Sequence, residues 1–172
     1  MLERKELSND LIKLIPLEKS DFEWLYAAAS DPAIWEQHPD RNRYTPVGFT
    51  VYFQKLLAND IPYLILDVKT EQVIGATSYY QLNEEQKSVA IGFTFLKKEY
   101  WGGKYNSSLK KLMIDYAFES LDSIYFHVRD QNLRSQKAIE KLGATFNKTY
   151  LAEDNLSTQL EYILVKDRFL LS

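Results

Sequence analysis

The chain has 172 residues, 45% hydrophobic and 26% charged, the balance of one soluble compact domain with room for a real core. No apolar run approaches the roughly 20 residues of a membrane span, and there is no cysteine for a disulfide, a thiolate metal site or a nucleophile. A net charge of −3 gives no electrostatic grip on nucleic acid, and Met1 to Glu6 lacks the apolar core of a signal peptide. The expectation is a cytoplasmic protein with no membrane or nucleic-acid partner.

A short strand, Leu11 to Leu17, opens the chain. A helix follows, capped by Ser20 or Asp21, with Phe22, Leu25, Tyr26 and Ala29 on one face and Asp31-Pro32 as its stop. Residues 31 to 46 read as a loop carrying Trp35, His38, Arg41, Arg43 and Tyr44. Thr45 and Pro46 then start a helix running to Ala58, as N-cap and first helical residue. Ile61 to Val68 and Val73 to Leu82 form a hairpin across Lys69 to Gln72, and Ser88 to Leu96 is the next strand. Alternation there puts Val89, Ile91, Phe93 and Phe95 on one face and the small Ala90, Gly92 and Thr94 on the other. Either a helix packs close over the small side or that side leaves room for a ligand, and the pattern by itself favours the helix. Leu109, Leu112, Met113, Tyr116, Ala117 and Leu121 mark an amphipathic helix. Ser123 to Arg129 is a strand, Asn132 to Leu142 a helix closed by Gly143, and Phe146 to Leu151 and Gln159 to Val165 the last strands, with Glu153-Asp154-Asn155 in the turn between. The order βααβββαβαββ predicts an α+β fold with its sheet covered on both faces.

Two segments carry chemistry. Glu99-Tyr100-Trp101-Gly102-Gly103-Lys104-Tyr105-Asn106-Ser107-Ser108 joins a strand to the amphipathic helix. Glycines running into a helix start aim unpaired N–H groups and the positive end of the helix dipole at one point, which suits a pyrophosphate. An ordinary turn capped by Asn106 or Ser107 has the same spelling. A P-loop is excluded by Lys98 and Tyr105, and no G-x-G-x-x-G is present. The second segment, Val128 to Ala144, contains Asn132-Leu133-Arg134-Ser135 and Lys141-Leu142-Gly143, which a capped helix with a glycine stop also explains.

Together, and after a small-faced strand, these segments resemble the Gcn5-related N-acetyltransferase (GNAT) superfamily, closest to the RimJ/RimL-like subgroup that acetylates ribosomal protein N-termini. Trp101 to Asn106 stands where that family has its Q/R-x-x-G-x-G/A loop, Asn132 to Ser135 matches its N-x-x-[AS] helix start, and Val73-Ile74-Gly75 and Ala90-Ile91-Gly92 look like its central strands. The resemblance spans about residues 7 to 166. It implies one acyl-CoA N-acyltransferase domain over 1–172, with a twisted, mostly antiparallel sheet, splayed middle strands and helices on both faces. It implies acetyl-CoA as donor, held by Phe95, Leu96, Trp101, Gly102, Gly103, Lys104, Tyr105, Asn106, Ser107, Asn132 and Ser135. Trp101 and Lys104 depart from the loop pattern. Ile139 stands where many members have the tyrosine that protonates the leaving thiolate.

The resemblance further implies an amine acceptor, a peptide N-terminus or a small molecule, in a pocket built by the loop of Trp35, His38, Arg41 and Tyr44. No side chain declares itself as base. His127, on the strand bordering the expected gap, is the catalytic candidate, and aligned reactants alone supply much of the rate. No metal-ligand spacing is present, and the protein is read as a monomer or homodimer. The alternatives are an acetyl-CoA-binding module without turnover and an unrelated α+β interaction domain.

Overall fold

The computed structural model describes residues 1–153 and 156–170. Asp154 and Asn155 of the expected last turn lie outside them. Eight strands form one sheet: β1 (Leu7–Ser8), β2 (Ile12–Pro16), β3 (Ile61–Asp67), β4 (Val73–Asn83), β5 (Ser88–Leu96), β6 (Ser123–Arg129), β7 (Thr145–Leu151) and β8 (Thr158–Val165). Their spatial order is β1-β2-β3-β4-β5-β6-β8-β7. Every neighbouring pair is antiparallel except β5 and β6. The helices are α1 (Phe22–Ala29), α2 (Pro46–Leu57), α3 (Lys104–Ala117), α4 (Leu133–Lys141) and α5 (Lys166–Leu170).

The alternating side chains of the strands feed two cores, one on each face of the sheet. Leu14, Ile65, Tyr79, Val89 and Ile124 pack with Leu109, Met113 and Ala117 of α3. On the opposite face Leu64, Ala76 and Phe95 pack with Leu25 of α1, Phe49, Tyr52 and Phe53 of α2, and Trp35. The start of α2 follows from local chemistry: Thr45 Oγ1 accepts from the Gly48 N–H at 3.1 Å, and Pro46 is the first helical residue. The start of α1 is less direct. Glu18 and Asp21 form a reciprocal capping box over a 3-10 turn, Lys19–Asp21, and the helix proper begins at Phe22. The segment expected as plain loop contains two further 3-10 turns, Pro32–Trp35 and Arg41–Tyr44. β1 and α5 were not evident from periodicity, since two and five residues are too short to show a period.

Two features open the sheet in the middle. The parallel pairing of β5 with β6 covers only Ser88, Val89 and Ala90 against Ser123, Ile124 and Tyr125. Beyond Ala90 the two strands have no register, so their facing edges separate. On its other side β5 carries a bulge: Ser78 pairs with Gly92, but Ala76 pairs with Phe95, leaving one extra residue on β5. Phe93 absorbs it at φ +56°, the left-handed region that a bulky residue seldom enters. The Tyr52 hydroxyl donates to the Phe93 carbonyl at 2.6 Å and ties the bulge to α2.

The bulge corrects the expected faces of β5. Val89 and Ile91 pack on the α3 side, whereas Phe93 and Phe95 pack on the α1/α2 side. A strict period of two holds only until a residue is inserted, and the insertion flips every side chain after it. Gly92 does not lie beneath a helix. A Cβ there would meet the Tyr80 ring at 3.0 Å, because that ring crosses over β5 at this point.

Candidate active site

Where β5 ends, the chain makes a 3-10 turn, Lys98–Tyr100, then Trp101, Gly102 at φ +70° and Gly103 as the N-cap of α3. No side chain caps α3, neither Asn106 nor Ser107; Ser107 Oγ instead donates to the Lys104 carbonyl. The first-turn N–H groups of α3 therefore keep no side-chain acceptor, at the positive end of a fourteen-residue helix. A Cβ on Gly102 or Gly103 would meet no heavy atom within 4 Å, so open space adjoins these amides. The arrangement leaves these amides open to an incoming anion.

A cavity of about 260 Å³ runs from this loop between the β5 edge (Thr94, Phe95, Leu96) and α4 (Asn132, Ser135, Ala138). Trp101, Gly102 and Asn106 also line it. Trp101 Nε1 donates to the Leu96 carbonyl at 2.8 Å, which occupies the last acceptor of the strand edge. The Arg134 guanidinium lies 6.0 Å above the Trp101 ring and adds a cation to the mouth. Asn132 Oδ1 accepts from the Ser135 N–H at 3.2 Å and caps α4, fixing that wall. Gly103 and Lys104 are exposed beside the mouth. Tyr105 does not join them: its hydroxyl donates to Asp67 at 2.9 Å, locking α3 to the β3–β4 hairpin. Burial alone would raise the Asp67 pKa, but hydrogen bonds from Tyr105, Thr70 and the backbone hold it below the usual carboxylate value.

A second cavity, about 380 Å³, continues through the gap between β5 and β6, with Thr94, Asn106, Asn132 and Ser135 common to both. Lys110 enters it from α3. Its Nζ lies 3.4 Å from Thr94 Oγ1 and 5.9 Å from the centre of the Phe126 ring, so the ammonium spans the opening between the strands. Among the described residues no carboxylate is within ion-pair distance of it. Burial without a counter-charge lowers its pKa from 10.5 to about 8.

On the opposite side of the gap stands a chain of polar groups. Tyr80 Oη is 2.6 Å from His127 Nδ1, His127 Nε2 is 2.9 Å from Glu161 Oε2, and Asn147 Nδ2 donates to Glu161 Oε1 at 2.7 Å. Burial pushes the Glu161 pKa up, but the bonds from His127 and Asn147 outweigh it and leave the carboxylate ionised below its ordinary range. An ionised Glu161 only accepts, so His127 donates to it from Nε2, and in the neutral imidazole Nδ1 accepts from the Tyr80 hydroxyl. Both imidazole nitrogens are thus engaged, and the Tyr80 hydroxyl bonded to Nδ1 belongs to a residue that, like His127, lines the cavity. Burial raises the Tyr80 pKa, so the phenol stays protonated.

Of the residues expected at the acceptor pocket, Trp35 and His38 line the second cavity. Trp35 is 1% exposed and held by its Nε1 donating to the Ala29 carbonyl at 2.8 Å, which makes it a wall. His38 stands edge-on to it, ring centres 5.2 Å apart. Its pKa falls from 6.5 to about 4, first through burial and then through the Arg43 charge, so His38 is neutral at pH 7. Arg41 and Tyr44 are exposed and line neither cavity; Tyr44 accepts through its backbone carbonyl from Tyr26 Oη at 2.9 Å. In their place Arg43 and Tyr52 face the cavity.

Sequence reasoning missed Tyr52, Tyr80, Lys110 and Glu161. Lys110 had a legible signal, because it shares the helical stripe of Ile114 and Ala117 and so sits at a half-buried position. Glu161 is a carboxylate in mid-strand. Tyr80 and Tyr52 had none among twelve tyrosines.

Among the described residues no cluster of three potential metal ligands occurs, and no helix is long and apolar enough to cross a membrane. No curated protein matches the chain. Among solved structures it is similar to a GCN5-related N-acetyltransferase from Brucella melitensis, with a TM-score of 0.84 at 16% identity over 98% of this chain and 81% of that one. An acetyltransferase of the GNAT family from Bacillus anthracis gives 0.75 at 14% identity over 95% and 99%. A spermidine N-acetyltransferase from Vibrio cholerae, solved with CoA and spermine, gives 0.69 at 16% identity over 94% and 99%. At these identities the likeness shows the fold. The family model of the acetyltransferase (GNAT) domain matches residues 12–145, most of the sequence, and the chain therefore belongs to the GNAT acetyltransferase family.

Proposed function

We propose that this protein transfers an acetyl group from acetyl-CoA to a primary amine by direct attack in a ternary complex. The observation that carries the reading is the continuity of one path. The uncapped, glycine-led start of α3 leads along the free edge of β5 into the gap between β5 and β6. Acetyl-CoA supplies an activated acyl group and a thiolate leaving group. The α3 amides and Arg134 meet its phosphates, the β5 edge near Phe95 and Leu96 receives its pantetheine arm, and Asn132 and Ser135 form the facing wall. Backbone N–H groups beside the Phe93 bulge polarise the carbonyl.

Tyr80 accepts a hydrogen bond from the acceptor amine and passes a proton to His127 Nδ1, while Glu161 stabilises the imidazolium. His127 thus acts as base through Tyr80. Lys110, with a pKa of about 8 and only a long 3.4 Å hydrogen bond to Thr94 Oγ1, is the proton donor available to the departing sulfur in place of the tyrosine replaced by Ile139. A peptide N-terminus, as the RimJ/RimL-like resemblance suggests, and a small-molecule amine both satisfy this chemistry. Ile139, 8% exposed and apolar, favours the second reading, an acetyl-CoA-binding domain without turnover.

The melting temperature with millimolar acetyl-CoA tests the donor, with dephospho-CoA and ATP as controls. A ligand specific for the folded state adds about 2.7 kcal/mol at a hundredfold excess over its Kd. Thiol release with a panel of amines then separates turnover from binding. A folded sample with no acetyl-CoA shift refutes the proposal.

A further inference from the structure

The second cavity is cationic. Arg43, Lys110 and Arg129 line it, and no carboxylate does among the described residues. Arg129 is engaged by Ser157 at the rim. Arg43 is held differently. Its guanidinium lies 4.9 Å above the Tyr52 ring and 5.5 Å from that of Trp35, on a side chain only 18% exposed. Its ion-pair partner is Asp40, 3.2 Å away, but Asp40 is 65% exposed and faces solvent. One hydrogen bond to a solvated carboxylate leaves most of the guanidinium's five donors for the cavity. Burial is the main cause of the lowered His38 pKa, and Arg43 and, more weakly, Arg129 lower it further against the opposing charge of Asp40.

Such a pocket discriminates among amines. A polyamine would bring its remaining charges beside Arg43 and Lys110, with Glu36 lining only the adjoining first cavity. An acceptor bearing an anion gains a planar, bidentate partner. The same cations lower the pKa of the reacting amine and favour the neutral form that attacks. The other walls, Ile91, Phe93, Phe126 and Val128, offer apolar surface for a side group.

Building on the acetyl-transfer reading, we propose that the acceptor is a primary amine that also carries a carboxylate, of the kind of a free amino acid with an apolar or aromatic side chain, and that Arg43 receives the carboxylate. Matched acceptors test it: L-phenylalanine, L-leucine, L-phenylalaninamide, phenethylamine and spermidine, each with acetyl-CoA, followed by thiol release. One or both amino acids should exceed the amide and the decarboxylated amine in kcat/KM by at least about tenfold, with spermidine last. Arg43→Gln should raise the KM for the amino acid about tenfold or more, and Arg43→Lys should restore part of it. Both variants should keep the acetyl-CoA-induced rise in melting temperature, which shows them folded. If acetyl-CoA stabilises the protein but spermidine, phenethylamine or the amide equals the amino acids, or none of the five turns over, this inference falls and the donor assignment stands. If acetyl-CoA gives no shift, both fall.

Discussion

Lys110→Met separates what Lys110 costs the fold from what it contributes to the site. Its ammonium sits in the opening between β5 and β6 without a carboxylate, and its pKa drops from 10.5 to about 8. The folded protein therefore binds fewer protons than the unfolded chain between those values. This penalty is complete below pH 8 and vanishes as pH rises through 10.5. The gap between 10.5 and about 8 sets an upper limit of about 3.4 kcal/mol. Lys110 is only half-buried, and solvent in the open gap reduces that to about 1–2 kcal/mol. Methionine keeps the apolar stem and removes the charge. At pH 7 the variant should melt higher by roughly 2–8 °C, the shift of such an increment in a domain of this length. At pH 10 most of the difference between the two proteins should disappear, because native Lys110 is then largely neutral. Turnover should fall about 100-fold with the proton donor gone. Paired melts by circular dichroism at the two pH values, with thiol release at pH 7, make the comparison. A lower melting temperature at pH 7, or a gain that persists at pH 10, refutes the account of burial; unchanged turnover refutes the assignment as proton donor.

Gly103→Val and Asn132→Ala should each weaken acetyl-CoA binding, read as a smaller ligand-induced melting shift. The valine Cβ meets no protein atom and should leave the fold intact, whereas loss of the Asn132 cap should also cost about 1 kcal/mol of stability. Normal binding by both variants would displace the donor site. Tyr80→Phe should lower kcat by about 100-fold while retaining the acetyl-CoA shift, because it cuts the path to His127 and leaves the donor cavity intact. Undiminished kcat would remove the relay from the mechanism. His38 has a folded-state pKa below its unfolded value, so the unfolded chain takes up the proton first as pH falls. Between pH 6.5 and about 4 each unit of acidification should cost about 1.4 kcal/mol. In His38→Asn that part of the acid loss should be absent from denaturant titrations, and an unchanged pH slope would contradict the burial.

Much of the architecture was legible because it is local. Thr45 and Pro46 start α2, Asn132 caps α4, and β6 runs over Ser123–Arg129 as expected, since caps and short alternation depend on neighbours in the chain. The open, glycine-led entry to α3 was visible for the same reason: Gly102 and Gly103 precede a long apolar stripe. Tyr105 was expected in that loop, yet its hydroxyl turns to Asp67, 38 residues away.

What the sequence alone determined about this protein was the order of elements from β2 to β8, the apolar stripes of α1 and α3 and the glycine-led entry to α3. Each of these is set by preferences spanning a few residues. Only the tertiary structure decided the rest. The extra residue at Phe93 reversed the second half of β5, and it rests on pairing with β4 and on the Tyr52 hydroxyl 41 residues earlier. Tyr80 reaches His127 across 47 residues only because Gly92 lets its ring pass, and Glu161 meets His127 through the register of β6 with β8. Arg43 rather than Arg41 or Tyr44 enters the cavity because a 3-10 turn rotates it onto Trp35 and Tyr52. Side-chain direction at a bulge, a turn or a strand crossing depends on distant partners, and a linear pattern does not encode which partner arrives.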